Sequence, residues 1–465
     1  MRLGRTLSVA CVLALAACGG SSDGEVADAA DPAQQTSAAP RAEPAPRERA
    51  PGSPQRTPEG TSEGTPEVTV GPPSPTAAGG PPDVPDDDEP TVRGGGDDDR
   101  AGSDPLRDRI DAMSVRDLAH RLLVVTVAGT SPTEVTAGQA AANQADFGVR
   151  TPAAVARTFQ PGGVVYFDAN VRSVPQVRRL SRGLHAASTR GGTPTLLFTD
   201  QEGGSVSRLP GAAATSQPAA RDFGGDPELG LATARQVGTE MAAMGLDVDF
   251  APVADVDSVG GAGVIGNRAF GTDADVVGPM VRAQTCGYHQ GGVGVTVKHW
   301  PGHGSTSIDS HEALPTLTLG RAAWRREHLP PFVAGIRAGA DLVMTGHLAY
   351  PSLDPTGRPA TLSRRLTHGW LRERLGFDGV VVTDSLEMAA IADRGTSGEV
   401  AVSALRAGAD LLLMPPSPQG AASGIQAAVT DGRLSRARLE ASVLRVLELE
   451  DSVGLVPGPR VLDRC

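Results

Sequence analysis

From residue 118 onward, short runs of consecutive apolar residues alternate with longer stretches in which apolar positions recur every three or four residues. The short runs fall at 122–127, 163–167, 195–199, 247–252, 293–298, 342–345, 379–383 and 410–414. Most are apolar throughout rather than alternating, the pattern of parallel strands covered on both faces. The stretches between them read as helices. In one, Asp226-Pro227 forms an N-cap and first-turn pair, Ala234, Val237, Met241 and Met244 share a face, and Gly245 supplies the stop. Eight βα repeats in about 340 residues predict an α/β fold, a single (β/α)8 barrel of the TIM type. A doubly wound open sheet is the alternative, but no G-x-G-x-x-G follows the first run.

Polar, loop-forming residues cluster directly after the predicted strands: Asp200-Gln201-Glu202-Gly203-Gly204, Lys298 through Gly304, Gly346-His347 and Asp384-Ser385. Active sites of such barrels are built at that end of the strands. Of the 42 basic side chains only Lys298 is lysine, so its place at a strand end points to a site that needs a compact ammonium rather than a guanidinium.

Composition changes the picture for the first hundred residues. Segment 19–103 holds 15 prolines, 17 acidic residues, 6 arginines and no aromatic residue. It cannot bury enough apolar surface to offset its ordering entropy and is expected to be a disordered linker, with a root-mean-square reach of roughly 50 Å as a flexible coil. That segment carries −11 of the chain's formal −12, and Arg2 and Arg5 add two positive charges, so residues 104–465 carry −3. A nearly neutral domain has no electrostatic footprint for nucleic acid. Ahead of the linker, two arginines and a twelve-residue apolar and small run at 6–17 fit a secretory signal and are too short to span a bilayer. Leu15-Ala16-Ala17-Cys18-Gly19 resembles a bacterial lipobox, which implies cleavage before Cys18, its acylation, and anchoring on the outer face of the cell membrane. The organisation expected is thus a signal peptide at 1–18, a linker at 19–103 and a catalytic domain at 104–465. Cys286 and Cys465 remain after cleavage, which allows one disulfide but implies no disulfide framework.

Three of the nine histidines, His299, His303 and His311, fall within thirteen residues. Two chemistries fit them. The three could ligate zinc with a carboxylate, or Asp309 could orient His311 as a general acid/base.

Lys298-His299-Trp300-Pro301-Gly302-His303-Gly304 followed by Asp309-Ser310-His311 resembles the signature of glycoside hydrolase family 3, in its bacterial β-N-acetylglucosaminidase branch. Asp200 to Gly204 with Arg208, Ile265-Gly266-Asn267-Arg268, and Val382 to Met388 match the same branch in the same order, together covering about residues 106–455. Ser205 and Asn267 depart from the common pattern, which has an arginine and an aspartate there. The resemblance implies retaining hydrolysis of terminal β-N-acetylglucosamine from peptidoglycan fragments or related glycans. Asp384 is then the nucleophile, His311 with Asp309 the acid/base dyad, and Asp200, Arg208, Arg268, Lys298 and His299 hold the sugar. It calls for no cofactor or metal. The loop bearing His311 is not fixed by a strand, so its closure over the sugar is expected to precede proton transfer. A phosphorylase, a metallohydrolase on the histidine cluster and a non-catalytic wall-binding lipoprotein are the alternatives.

Overall fold

The computed structural model describes residues 105–192, 194–260 and 263–455. The signal segment with Cys18, the linker and Cys465 lie outside the described residues. All eight predicted strands form: β1 (Leu123–Val125), β2 (Gly163–Tyr166), β3 (Leu196–Thr199), β4 (Val248–Asp249), β5 (Gly294–Trp300), β6 (Leu342–Thr345), β7 (Val380–Thr383) and β8 (Leu412–Leu413). Each pairs in parallel with its sequence neighbour from β1 to β7, and β8 pairs with β1. A bridge from Val382 to Leu411, just ahead of β8, closes the ring. The expected barrel is therefore the fold.

Alternate residues along each strand face opposite sides. One set, including Val124, Val165, Leu196, Phe198, Val248, Leu342, Met344, Val380 and Val382, fills the interior, where Phe198 stacks on Phe250 at 4.9 Å. The other set, with Val164, Leu197, Val295, Val297, Val343 and Val381, packs under the surrounding helices. Each such side chain contributes roughly 1.5–3 kcal/mol by leaving water. The predicted helix runs Pro227–Met244, with Asp226 accepting the amides of Glu228 and Leu229 and with Gly245 left-handed at φ 77°.

At the N-terminal face one device occurs three times. Asp247, Asp341 and Asp410 each stand just before an even-numbered strand and accept an amide from the odd-numbered strand beside it. Leu197 donates to Asp247 at 2.8 Å, Val295 to Asp341 at 2.9 Å and Val381 to Asp410 at 3.0 Å. Each carboxylate also takes a side chain from the helix leading into that odd strand: His185 at 2.9 Å, His289 at 2.7 Å and Arg372. One carboxylate thereby joins a helix and two strands.

The opposite face is shaped by aromatic packing. All three tryptophans of a chain with 3% aromatics meet there. Trp324 packs edge-on against Trp300 at 5.8 Å and Trp370 at 4.8 Å, and its indole N–H donates to the Pro301 carbonyl at 2.8 Å. This fixes the start of the loop after β5. Further along that loop, a Cβ on Gly304 would lie 1.8 Å from the Val256 carbonyl oxygen, so the loop can approach the segment after β4 only with glycine there.

Replacing Asp341 by Ala should leave the Val295 amide and His289 without their buried acceptor. It should lower stability by about 2–4 kcal/mol in urea unfolding while leaving KM unchanged, because this end of the barrel is remote from the cleft described next.

Candidate active site

On β5, Val295 and Val297 face outward, which turns Gly294, Thr296 and Lys298 into the barrel. Lys298 is 2% exposed, and a buried ammonium requires partners. Its Nζ lies 2.6 Å from Asp200 Oδ1 and 2.6 Å from Glu202 Oε1. Glu202 in turn receives both arms of the Arg268 guanidinium, at 2.7 Å each. Burial pushes the Glu202 carboxyl up, but Lys298 and Arg268 outweigh it and hold the group far below the usual carboxylate range. Burial likewise lowers Lys298, and Asp200 and Glu202 override it, so the ammonium stays charged.

The strand register shifts between Val297 and Trp300, and the Lys298–His299 peptide is cis. Both consecutive side chains line the cleft. The His299 ring is oriented by Asp255, a fully buried carboxylate that accepts Nδ1–H at 2.6 Å. This leaves Nε2 as the acceptor, 3.5 Å from Arg268 Nη2.

Asp384 follows β7. Its amide donates to the Thr345 carbonyl at 2.9 Å and its Oδ1 accepts the Ser385 amide at 2.8 Å. Burial raises this carboxyl, but His299, His347, the Ser385 amide and Lys298 together bring it below the ordinary value, so it is ionised at neutral pH. On the loop after β5, Asp309 accepts both the backbone amide of His311 at 2.9 Å and its ring Nδ1–H at 2.8 Å. An aspartate readily bonds the amide two residues on, so the Asp-x-His spacing itself builds the pair. The donated Nδ1–H leaves Nε2 to exchange a proton. The His311 and Ser310 carbonyls accept the amides of Ala389 and Ala390, each at 3.4 Å, which docks this loop on the segment after Asp384.

A cleft of about 490 Å³ opens at the C-terminal end of the strands. All eight residues expected from the sequence, Asp200, Arg208, Arg268, Lys298, His299, Asp309, His311 and Asp384, line it. Arg208 pairs with Asp168 at 3.2 Å, and Asp200 with Lys298. His347, unassigned in the sequence, is a satisfied buried histidine, with Nε2–H donating to the Ser385 carbonyl at 2.8 Å and Nδ1 bonded to Thr361. The zinc reading finds no converging donors. Among the described residues no three His, Cys, Asp or Glu side chains form a metal-holding group, and the three clustered imidazoles are committed to Asp255, Ser310 and Asp309 separately.

Glu202 and Asp255 are the residues that sequence reasoning missed. The available signal for Glu202 was its spacing of two from Asp200, which places both on one side of an extended segment.

The model for the N-terminal domain of glycosyl hydrolase family 3 matches residues 139–449. The chain belongs to glycosyl hydrolase family 3. It is 39% identical over 285 residues to a beta-hexosaminidase of Xanthomonas oryzae pv. oryzae, covering 60% of this chain and 82% of that one. It is 40% identical over 259 residues to a beta-hexosaminidase of Xylella fastidiosa, covering 54% and 75%. Among solved structures, a family 3 beta-N-acetylglucosaminidase from Paenibacillus superposes with a TM-score of 0.68 at 36% identity, over 75% of this chain and 64% of that one. A beta-N-acetylhexosaminidase from Beutenbergia cavernae gives 0.63 at 30% identity, over 73% and 99%. This family 3 glycoside hydrolase thus has its expected site residues gathered on a single cleft.

The depressed Glu202 carboxyl ties the site to folding. Its contribution should be complete above an unfolded-state pKa of about 4.3 and be lost as pH falls towards its lower folded value. Glu202→Gln should cost about 3–5 kcal/mol at neutral pH. The gap between wild type and variant, measured as urea midpoints, should narrow progressively below about pH 4.

Proposed function

We propose that this chain is a retaining, exo-acting β-N-acetylhexosaminidase that releases terminal β-N-acetylglucosamine from peptidoglycan fragments or related glycans. The observation that carries the reading is the shared cleft: an ionised carboxylate on a rigid strand end and an aspartate-oriented imidazole on a docked loop line the same cavity. The amino-sugar specificity follows the relatives, which are named for that activity.

In this mechanism Asp384 attacks the anomeric carbon while His311 Nε2–H protonates the departing glycosidic oxygen. The pyranose passes through an oxocarbenium-like state and becomes a covalent ester on Asp384. His311, now neutral, takes a proton from water, and the water oxygen displaces Asp384 from the same carbon, so configuration is retained. Asp309 remains ionised throughout. Burial raises it, but the His311 amide and ring hold it below the usual carboxylate range, which suits it to stabilise an imidazolium. Asp200, Lys298 and Arg268 offer charged acceptors and donors to sugar hydroxyls, and His299 offers its Nε2 lone pair. Phe167, Met388, Leu413 and Met414 supply apolar contact on the cleft wall.

Asp384→Asn should lower kcat on an aryl N-acetylglucosaminide by about 10⁴-fold or more. A mechanism-based fluoro-sugar should label the wild-type peptide containing Asp384, and labelling of any other carboxylate would reject the assignment. Product analysis in phosphate buffer should yield free sugar; sugar 1-phosphate would identify a phosphorylase instead. We also propose that Cys18 is the acylated anchor on the outer face of the membrane. Cys18→Ser should move the protein from the membrane pellet to the soluble fraction.

A further inference from the structure

The Asp309–His311 pair is the exposed part of the site, with side chains 41% and 70% accessible, and the two hydrogen bonds that define it are internal to residues 309–311. The residue between them is the reverse. Ser310 is 2% exposed, and its Oγ lies 2.9 Å from Nε2 of His303, itself 4% exposed. The His303 amide donates to Asp255 Oδ1 at 2.6 Å, and its ring packs edge-on against His299 at 5.9 Å. Nδ1 of His303 is buried with no hydrogen-bond partner among the described residues. A bare buried lone pair is less costly than a bare N–H, so Nε2 carries the proton and donates to Ser310. Burial lowers the His303 pKa, which agrees with a neutral ring.

We propose that Asp255, His303 and Ser310 form a positioning relay that sets the acid/base imidazole of His311 over the cleft. The proposal rests on the reading of His311 as acid/base. Asp255 stands at the branch point: one oxygen accepts the His299 ring and the other the His303 amide. The sugar-side imidazole and the proton-transferring loop therefore take their positions from the same carboxylate. Ser310 is where the relay reaches the loop. Proton transfer is sensitive to displacements on the order of 1 Å, so an exposed dyad needs an anchor that is itself buried.

Ser310→Ala in the full chain removes the relay's last atom while leaving Asp309 and His311 intact. Its effect should fall on the step that needs a proton. With the disaccharide of N-acetylglucosamine, whose leaving group departs poorly without protonation, kcat should fall about 10–100-fold with little change in KM. With a dinitrophenyl N-acetylglucosaminide, whose leaving group needs no proton, formation of the glycosyl-enzyme should stay within about threefold of wild type. Ser310→Thr, which keeps the oxygen, should restore disaccharide turnover. Equal losses on both substrates, or no loss on either, would overturn the relay. His311→Ala separates this from the reading beneath it. If that variant lacks the leaving-group dependence, the acid/base assignment fails. If it shows the dependence and Ser310→Ala does not, only the relay fails.

Discussion

The sharing of one ammonium between two carboxylates organises this molecule's chemistry. A lysine turned into a barrel cannot be left unpaired, and the cost of burying it is offset only because Asp200 and Glu202 meet it at 2.6 Å. Glu202 then needs a second cation, which brings Arg268 from the loop after β4 across to the end of β3. A third carboxylate beneath them, Asp249, is pushed well above the ordinary value, first by burial and also by Asp200 and Glu202, against the opposing pull of the Gln201 amide and Lys298. Lys298 and Arg268 thus stand against Asp200 and Glu202 in one connected cluster. The net effect is a rigid, polar floor on which Asp384 can remain ionised.

The two ends of the barrel divide the work. At the N-terminal end the repeated aspartates join helix to strand to strand and involve no residue of the cleft. At the C-terminal end the same kinds of side chain are used differently: Asp255 accepts two backbone amides and an imidazole, but what it holds in place is a cleft-lining histidine and a loop. Aspartate–histidine pairs occur on both faces of this protein. Only those with a ring nitrogen open to the cavity can take part in chemistry.

The strands were legible because parallel strands buried on both faces must be apolar throughout, and a run such as 379–383 has no other economical place to go. Their ends were less so. The run 247–252 shortens to Val248–Asp249, and Pro252 has no amide to give a ladder. At the site, Lys298 and the Asp309–His311 pair could be read because rarity in composition and a local two-residue spacing are properties of the sequence itself. Asp255 could not, and Glu202 offered only its spacing from Asp200, because what distinguishes them is a partner 44 or 66 residues away along the chain, brought near only by closure of the barrel.

Lys298 also has a consequence outside catalysis. It carries the only ε-amine in the chain, and in the folded protein that amine is shielded between two carboxylates. An acylating reagent applied to the native enzyme therefore finds no exposed lysine, and a stable amide label on a lysine reports that the floor of the cleft has opened. The active site thus contains its own chemical reporter of integrity, with no competing lysine to obscure the signal.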